Sequence, residues 1–342
     1  MSRFIRNAWY MAAWSEELTD QLLSRRVFDR QIVLFRRKDG AAQALADRCP
    51  HRFAPLSRGT RDGDAIVCAY HGLRFDGSGR CVRNPYADAI PHQAQVDSWA
   101  VVERHDILWL WGGTTGTADP ALIPDFSPVA ESSQVHAVRG YTLLRAPYEY
   151  GIDNLMDLSH IEFVHRGSFA GNGVIFAGTH RVREEGAAIH SDWWMPDVAA
   201  PSHTRGIYPP DMRCDHWLDM RWDAPASMAL QVGSTPKGRP REEGIAVDQA
   251  HILTPATADT THYFWASARR YELDSKELDG MLRTLFQQAF DEEDKPIIQA
   301  AYENLEGTDF WDAKPISLGV DAGGLRVRRR LKALLAREQD SR

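Results

Sequence analysis

Four cysteines in 342 residues are too few for a disulfide framework. No apolar run approaches the roughly 18 residues that a membrane-spanning helix needs. The opening Met1-Ser2-Arg3-Phe4-Ile5-Arg6 has no signal-peptide core, so a cytoplasmic location is the expectation. Positive charge is not in excess either: 40 Lys and Arg face 47 Asp and Glu, for a formal net charge of −7. With no basic patch interleaved with aromatics, nucleic acid is disfavoured as a partner. A dinucleotide fingerprint is also missing. Gly112-Gly113 and Gly171-x-Gly173 are poor fits to such a motif, which needs a strand before it and a helix after it. Any NADH-driven reaction would therefore need a separate protein. What remains, 43% hydrophobic and 25% charged residues, is ordinary globular composition with length for two domains.

Two of the four cysteines stand beside histidines, in Cys49-Pro50-His51 and Cys68-Ala69-Tyr70-His71, separated by 16 residues. Each half places one thiolate and one imidazole on a short loop. Two cysteines can hold one iron of a 2Fe-2S cluster, and two neutral imidazoles can hold the other. Pro50 and Gly72 suit tight turns. Structural zinc is the rival reading, but such sites usually open with Cys-x2-4-Cys, which favours the cluster. Cys81 and Cys214 are expected as buried free thiols.

Residues 27–111 are rich in short strand-like runs (31–35, 65–67, 107–111) punctuated by Asp39-Gly40, Asp62-Gly63 and Asp76-Gly77. An all-β domain over 1–118 is expected, left through Gly112–Gly116 and Asp119-Pro120. A catalytic domain would fill 119–342. There, 151–163 reads as a helix, and 187–194, 227–232, 251–253 and 261–266 read as strands. Residues 274–305 read as a long helical region, opened by an Asp274/Glu277 capping box and bent at Pro296. A last helix follows Gly323-Gly324. The fold class is α+β.

A second metal site is suggested by His160 and His165. Five residues apart on a regular helix they point to different sides, so they can share a metal only if the helix breaks or bends. Asp294 is the candidate third ligand, because it continues the apolar row Leu282, Phe286, Phe290. Asp291, Glu292 and Glu293 are expected to face solvent. Two histidines and a carboxylate make the facial triad of non-heme Fe(II) oxygenases. The plain alternative is a solvated acidic helix with unrelated histidines. Asp157, three residues before His160, can accept a hydrogen bond from its second ring nitrogen or can be a simple helix N-terminal charge.

The chain resembles the Rieske non-heme iron oxygenases nearly throughout. The matching residues include Asn7-Ala8-Trp9-Tyr10, Cys49-Pro50-His51-Arg52, Ala54-Pro55-Leu56 and Tyr70-His71-Gly72-Leu73. They continue in Asn154 to His165, His251-Ile252-Leu253-Thr254-Pro255, Tyr263-Phe264-Trp265, Glu293-Asp294, Asp321-Ala322-Gly323-Gly324 and Arg328-Arg329. The likeness is to the oxygenase components of the vanillate O-demethylase, dicamba O-demethylase and toluenesulfonate methyl-monooxygenase group.

That resemblance implies a Rieske domain followed by a helix-grip catalytic domain, in a homotrimer. It implies a 2Fe-2S cluster on Cys49, His51, Cys68 and His71 and mononuclear Fe(II) on His160, His165 and Asp294. Asn154 and Asp157 lie in the catalytic segment, and Asp157 would bridge His160 to the cluster histidine, His71, of a neighbouring subunit. NADH would act only through a separate flavin- or ferredoxin-type reductase. The implied reaction is monooxygenation with O2, O-demethylating a methoxylated aromatic acid such as vanillate and releasing formaldehyde. Ring dihydroxylation, hydroxylation of another substrate and plain electron carriage are the alternatives. His251 is either a donor to a substrate acid group or a satisfied strand histidine. Leu230 stands where the dicamba enzyme has a polar residue, so dicamba is not expected. Trp193, Trp194, Met195, Trp217 and Met228 read mostly as core, and the basic run 326–330 as a solvated helix face.

Overall fold

The computed structural model describes residues 4–166, 168–169, 173–201, 204, 207–209 and 211–340; Gly171 lies outside them. The chain forms two compact units, Met1–Ile123 with Thr254–Asp259, and Pro124–Leu253 with Thr260–Arg342.

The first unit is all β. Its strands are β1 (Trp9–Trp14), β2 (Leu23–Val27), β3 (Arg30–Arg36), β4 (Ala42–Ala46), β5 (Thr60–Asp62), β6 (Ala65–Val67), β7 (Arg74–Asp76), β8 (Cys81–Arg83), β9 (Ser98–Trp99), β10 (Val101–Arg104) and β11 (Ile107–Trp111). They make three antiparallel sheets, ordered β1-β11-β10, β2-β3-β4-β9 and β5-β6-β7-β8. The unbroken apolar run of β3 has a simple cause. Alternate side chains of a strand point to opposite faces, and here both faces are buried. Ile32 and Leu34 join Tyr10, Phe28, Leu108 and Leu110 in one core. Val33 and Phe35 join Leu45, Ile66 and Phe75 in another, which also holds Cys49 and Cys68.

The second unit is a seven-stranded antiparallel sheet ordered β12-β18-β17-β16-β15-β14-β13. Its strands are β12 (His136–Leu144), β13 (Thr179–Glu185), β14 (Ala188–Ala199), β15 (Arg213–Asp223), β16 (Ser227–Pro236), β17 (Ile245–Pro255) and β18 (Thr261–Arg269). The expected α+β class holds. The sheet is accompanied by helices α1 (Tyr148–Met156), α2 (Ile161–Val164), α3 (Lys276–Gln287), α4 (Lys295–Glu303) and α5 (Ala322–Asp340). No described helix is long and apolar enough to cross a membrane.

Several local expectations shift. The helix expected over 151–163 is three pieces: α1, a 3-10 turn at Leu158–His160, and α2. Asp157 breaks it, with φ −119° and ψ 86° and a side chain that accepts the Ser159 N–H. The N-cap of α3 is Ser275, accepting from the Leu278 N–H, rather than an Asp274/Glu277 box. Residues 276–303 form one uninterrupted helical stretch, α3, a π turn at Gln288–Asp294 and α4. Pro296 is the second residue of α4, just after the change from π to α geometry. Helix α5 contains Gly323-Gly324 instead of following them. A Cβ at Gly323 would lie 2.9 Å from the Met156 carbonyl oxygen, so glycine lets α5 approach the end of α1. The basic run on α5 is not a free solvated face. Arg326 donates to the Val182 carbonyl, Arg328 pairs with Asp153 over the Phe310 ring, and Arg330 pairs with Glu184.

Candidate redox and metal centres

The two Cys/His loops are built to one plan. The Cys49 N–H donates to the Ala54 carbonyl and the Phe53 N–H returns to the Cys49 carbonyl, both at 2.9 Å. In the second loop the Cys68 N–H donates to Leu73 and the Gly72 N–H returns to Cys68, again at 2.9 Å. Four residues after each cysteine the backbone is left-handed, at Phe53 (φ 62°) and Gly72 (φ 71°). Glycine adopts that conformation freely; phenylalanine rarely does. Phe53 lies against the Arg48 guanidinium, 4.1 Å from the ring centre.

This plan sorts the donors. Cys49 and Cys68 are each 2% exposed inside the core. The His51 and His71 rings lie outward, with centroids 4.4 Å apart. Burial foremost pushes the Cys49 thiol up to about 11, with the Cys68 thiol adding to the rise and the His51 and Arg52 N–H groups opposing it. Two buried sulfurs at one end and two imidazoles at the other suit two irons of different ligation better than a single tetrahedral ion. His71 Nδ1 is buried without a hydrogen-bond partner among the described residues, as a nitrogen kept for a metal would be. Cys81 and Cys214 are free and buried.

In the second unit His160, His165 and Asp294 converge, with one donor atom from each lying within 4.8 Å of the others. The chain passes from 3-10 to α geometry just after His160, which turns the two rings toward one another at 5.2 Å between centroids. His160 Nε2 is 3.5 Å from Asp294 Oδ1, and His165 Nε2 is 3.3 Å from Asp294 Oδ2. Asp294 closes a π-helical turn, Gln288–Asp294, and the Lys295 N–H returns to the Phe290 carbonyl. Such turns are frequent at functional sites. Here the wider turn brings two consecutive carboxylates inward.

Glu293 therefore does not face solvent. It accepts from His165 Nδ1 at 2.7 Å, from Gln288 at 3.1 Å and from the Ser168 hydroxyl. Asp291 is also engaged, by Thr142 and Lys295, while Glu292 is exposed as expected. Asn154 donates to Asp294 Oδ1 at 3.0 Å. Burial pushes the Asp294 carboxyl up, but His165, His160 and Asn154 outweigh it and hold it below the ordinary range. Burial pulls both histidines down. In His165 the Asp294 and Glu293 carboxylates win and raise it; in His160 burial prevails.

Asp157 works differently from its expected side-chain role. His160 Nδ1 is 2.6 Å from the backbone carbonyl of Asp157, not its carboxylate. The carboxylate is turned the other way, because its Oδ1 caps the 3-10 turn through the Ser159 N–H (3.0 Å) and hydroxyl (2.6 Å). His251 is 2% exposed and engaged at both nitrogens, by the Tyr263 hydroxyl at 2.7 Å and Gln249 Oε1 at 3.2 Å. Burial lowers it to about 4. Leu230 is directly opposite Gln249 across β16–β17 and is buried. Of the five apolar candidates, Trp193, Met195, Trp217 and Met228 are core. Trp194 stacks on Trp217 under Arg241. Glu293 and Gln288 were invisible to regular helical spacing, since the π turn resets the register between Phe286 and Asp294, and Ser168, beyond α2, carried no pattern that could mark it.

Residues 8–99 match the Rieske [2Fe-2S] domain, and residues 144–337 match the vanillate O-demethylase oxygenase C-terminal domain. The chain belongs to the Rieske non-heme iron oxygenases. It is 38% identical to the oxygenase component of chloroacetanilide N-alkylformylase of Rhizorhabdus wittichii, covering 98% of this chain and 97% of that one. It is 37% identical to the oxygenase component of dicamba O-demethylase of Stenotrophomonas maltophilia, covering 97% and 98%. The crystal structure of dicamba monooxygenase with non-heme iron and dicamba superposes with a TM-score of 0.86 at 35% identity, covering 99% of both chains. The cofactors of this Rieske oxygenase are thus a 2Fe-2S cluster and a mononuclear iron.

Proposed function

We propose that this oxygenase component oxidatively removes an alkyl group from a heteroatom of a small aromatic substrate, with a methoxy group as the leading case. The convergence of His160, His165 and Asp294 carries the reading, because two imidazoles and one carboxylate leave a metal's other face open. When bound, the cofactors supply stored electrons and O2 activation; the residues supply position. Cys49, His51, Cys68 and His71 hold the cluster. His160, His165 and Asp294 hold the iron, with Asn154 orienting one Asp294 oxygen and Glu293 holding the Nδ1 proton of His165.

The electrons come from NADH through a separate reductase. The assembly is a homotrimer in which Asp157 links His160 to His71 of the partner subunit. Asp157 Oδ1 is occupied by Ser159, which leaves Oδ2 for that contact. For a methoxylated acid such as vanillate, one oxygen atom enters a methyl C–H bond and the other leaves as water, using two electrons and two protons. The hemiacetal then breaks to formaldehyde and a phenol. The 38% identity to an N-alkylformylase component supports a second reading, removal of an N-alkyl group by the same C–H hydroxylation.

A formaldehyde-release screen with a surrogate reductase and NADH tests this. Methoxylated benzoates including vanillate form one panel, and N-alkyl chloroacetanilides, followed by loss of the N-alkyl group, the other. Stoichiometric formaldehyde from a methoxybenzoate supports the first reading. A cis-diol retaining both oxygen atoms contradicts both.

A further inference from the structure

We propose that His180 and Ser191 form a positioning relay that fixes the helix break at Met156–Asp157 and, through it, the aim of His160. The inference rests on His160 being an iron ligand.

The carbonyls of a helix's last turn have no partner within the helix. Met156 ends α1, and its carbonyl oxygen accepts a hydrogen bond from Ser191 Oγ at 2.8 Å. Ser191 and Met156 are both fully buried. A hydroxyl has one proton, and Ser191 commits it to Met156. Ser191 Oγ therefore meets His180 Nε2, 2.8 Å away, only as an acceptor. This sets the neutral tautomer of His180 with its proton on Nε2. Burial, set against the pull of Asp157 and Asp192, lowers the His180 pKa and keeps the ring neutral near pH 7. The ring is itself held flat on Trp193, its direct neighbour across β13–β14, with centroids 4.7 Å apart and planes at 13°.

The pinned carbonyl is next to the one that matters for the metal. Asp157 leaves the helix, and its own carbonyl meets His160 Nδ1 at 2.6 Å. That bond leaves His160 Nε2 facing Asp294. Two successive carbonyls thus carry restraint from the edge strand β13 to an iron-directed imidazole. Gly323 of α5 lies beside the same carbonyl, where an added Cβ would stand 2.9 Å from its oxygen. A buried serine that merely stabilised the end of α1 would affect folding alone. This one also sets the rotation of the peptide from which Asp157 and His160 take their directions.

The test compares Ser191→Ala, His180→Leu and His180→Gln in the full-length protein carrying its cluster. Fe(II) affinity is read by chelator competition, and kcat and KM by formaldehyde release. Groups that orient metal ligands typically change affinity or activity by roughly 10- to 100-fold. We expect Ser191→Ala and His180→Leu to lose Fe(II) affinity and kcat in that range, with KM and the cluster spectrum unchanged. His180→Gln, whose amide N–H replaces Nε2–H, should recover most of the loss. Ser191→Ala binding Fe(II) as tightly as the parent, or His180→Gln as impaired as His180→Leu, overturns the relay. If Ser191→Ala does not fold, the partly exposed His180 pair decides. A parent protein that releases no formaldehyde, with variants that still lose Fe(II), sinks the proposed reaction and leaves the relay standing.

Discussion

Glu293 stands behind His165: its Oε2 lies 2.7 Å from Nδ1, while the next residue, Asp294, faces Nε2 of the same ring from 3.3 Å. With the Nδ1 proton held by Glu293, the Nε2 lone pair points at the metal position. A carboxylate behind a ligating histidine fixes its tautomer and makes it more basic.

Removing that charge should loosen the iron. Glu293→Gln is expected to lower Fe(II) affinity roughly 10- to 100-fold while the cluster spectrum is unchanged. Iron retained per protein after dialysis against a chelator measures it. Parental retention would show that Glu293 only solvates the helix.

The shared plan of the two Cys/His loops makes their left-handed positions unequal in tolerance. Gly72 has φ 71°, and a Cβ there would lie 3.1 Å from Pro85 Cγ. Gly72→Val should cost at least the roughly 1–2 kcal/mol of placing an L-residue in that region, and lower cluster occupancy. Phe53→Gly removes the same strain and should keep the cluster. Cluster absorbance per protein distinguishes them; equal occupancy in both variants would refute the argument.

Arg269 and Asp279 form a buried ion pair at 2.7 Å, with side chains 1% and 8% exposed, and His136 Nε2 adds a contact at 2.9 Å. Asp279→Ala leaves the Arg269 charge buried alone, which costs about 3–5 kcal/mol. Burial pushes the Asp279 carboxyl up, but Arg269 and His136 outweigh it and hold it below the ordinary value. Its contribution is therefore present above the unfolded carboxylate pKa of roughly 4 and is lost as pH falls through the lower folded value. Denaturant unfolding of parent and variant should show the gap closing on acidification. A gap independent of pH would contradict the assignment.

His216 and His251 are both lowered to about 4, by burial foremost. Between pH 6.5 and about 4 the unfolded chain takes up these protons and the folded chain does not. Stability should fall by about 1.4 kcal/mol per pH unit for each histidine as pH drops through that window. His216→Gln should flatten the slope by one histidine's share; an unchanged slope would place its ring in water.

Much of this was legible because some patterns are local. The Cys-x-His and Cys-x2-His loops name their donors by adjacency, and the apolar run of β3 marked it as a strand, although its burial on both faces went unread. The His160/His165 spacing required a break or bend between them, and the passage from the 3-10 turn to α2 just after His160 provides it. Other features depend on backbone geometry that composition does not encode. The π turn moved Glu293 inward against an expectation built on 3.6-residue spacing. Asp157 used its backbone, not its carboxylate, toward His160, because the adjacent Ser159 captured the side chain. The edge strands β12 and β13 and the strand β15 went unread. The arginines of α5 looked solvated because their partners, Asp153, Val182 and Glu184, come from more than 140 residues earlier.

The most direct test of the two-centre account is Asp294→Ala in a single turnover. Parent and variant are chemically reduced, supplied with substrate, exposed to O2 and analysed for cluster absorbance, iron and formaldehyde. The account predicts that the variant keeps the parental cluster spectrum, loses the mononuclear iron and releases no formaldehyde. Loss of the cluster spectrum together with the iron, or formaldehyde release at the parental yield, would contradict it.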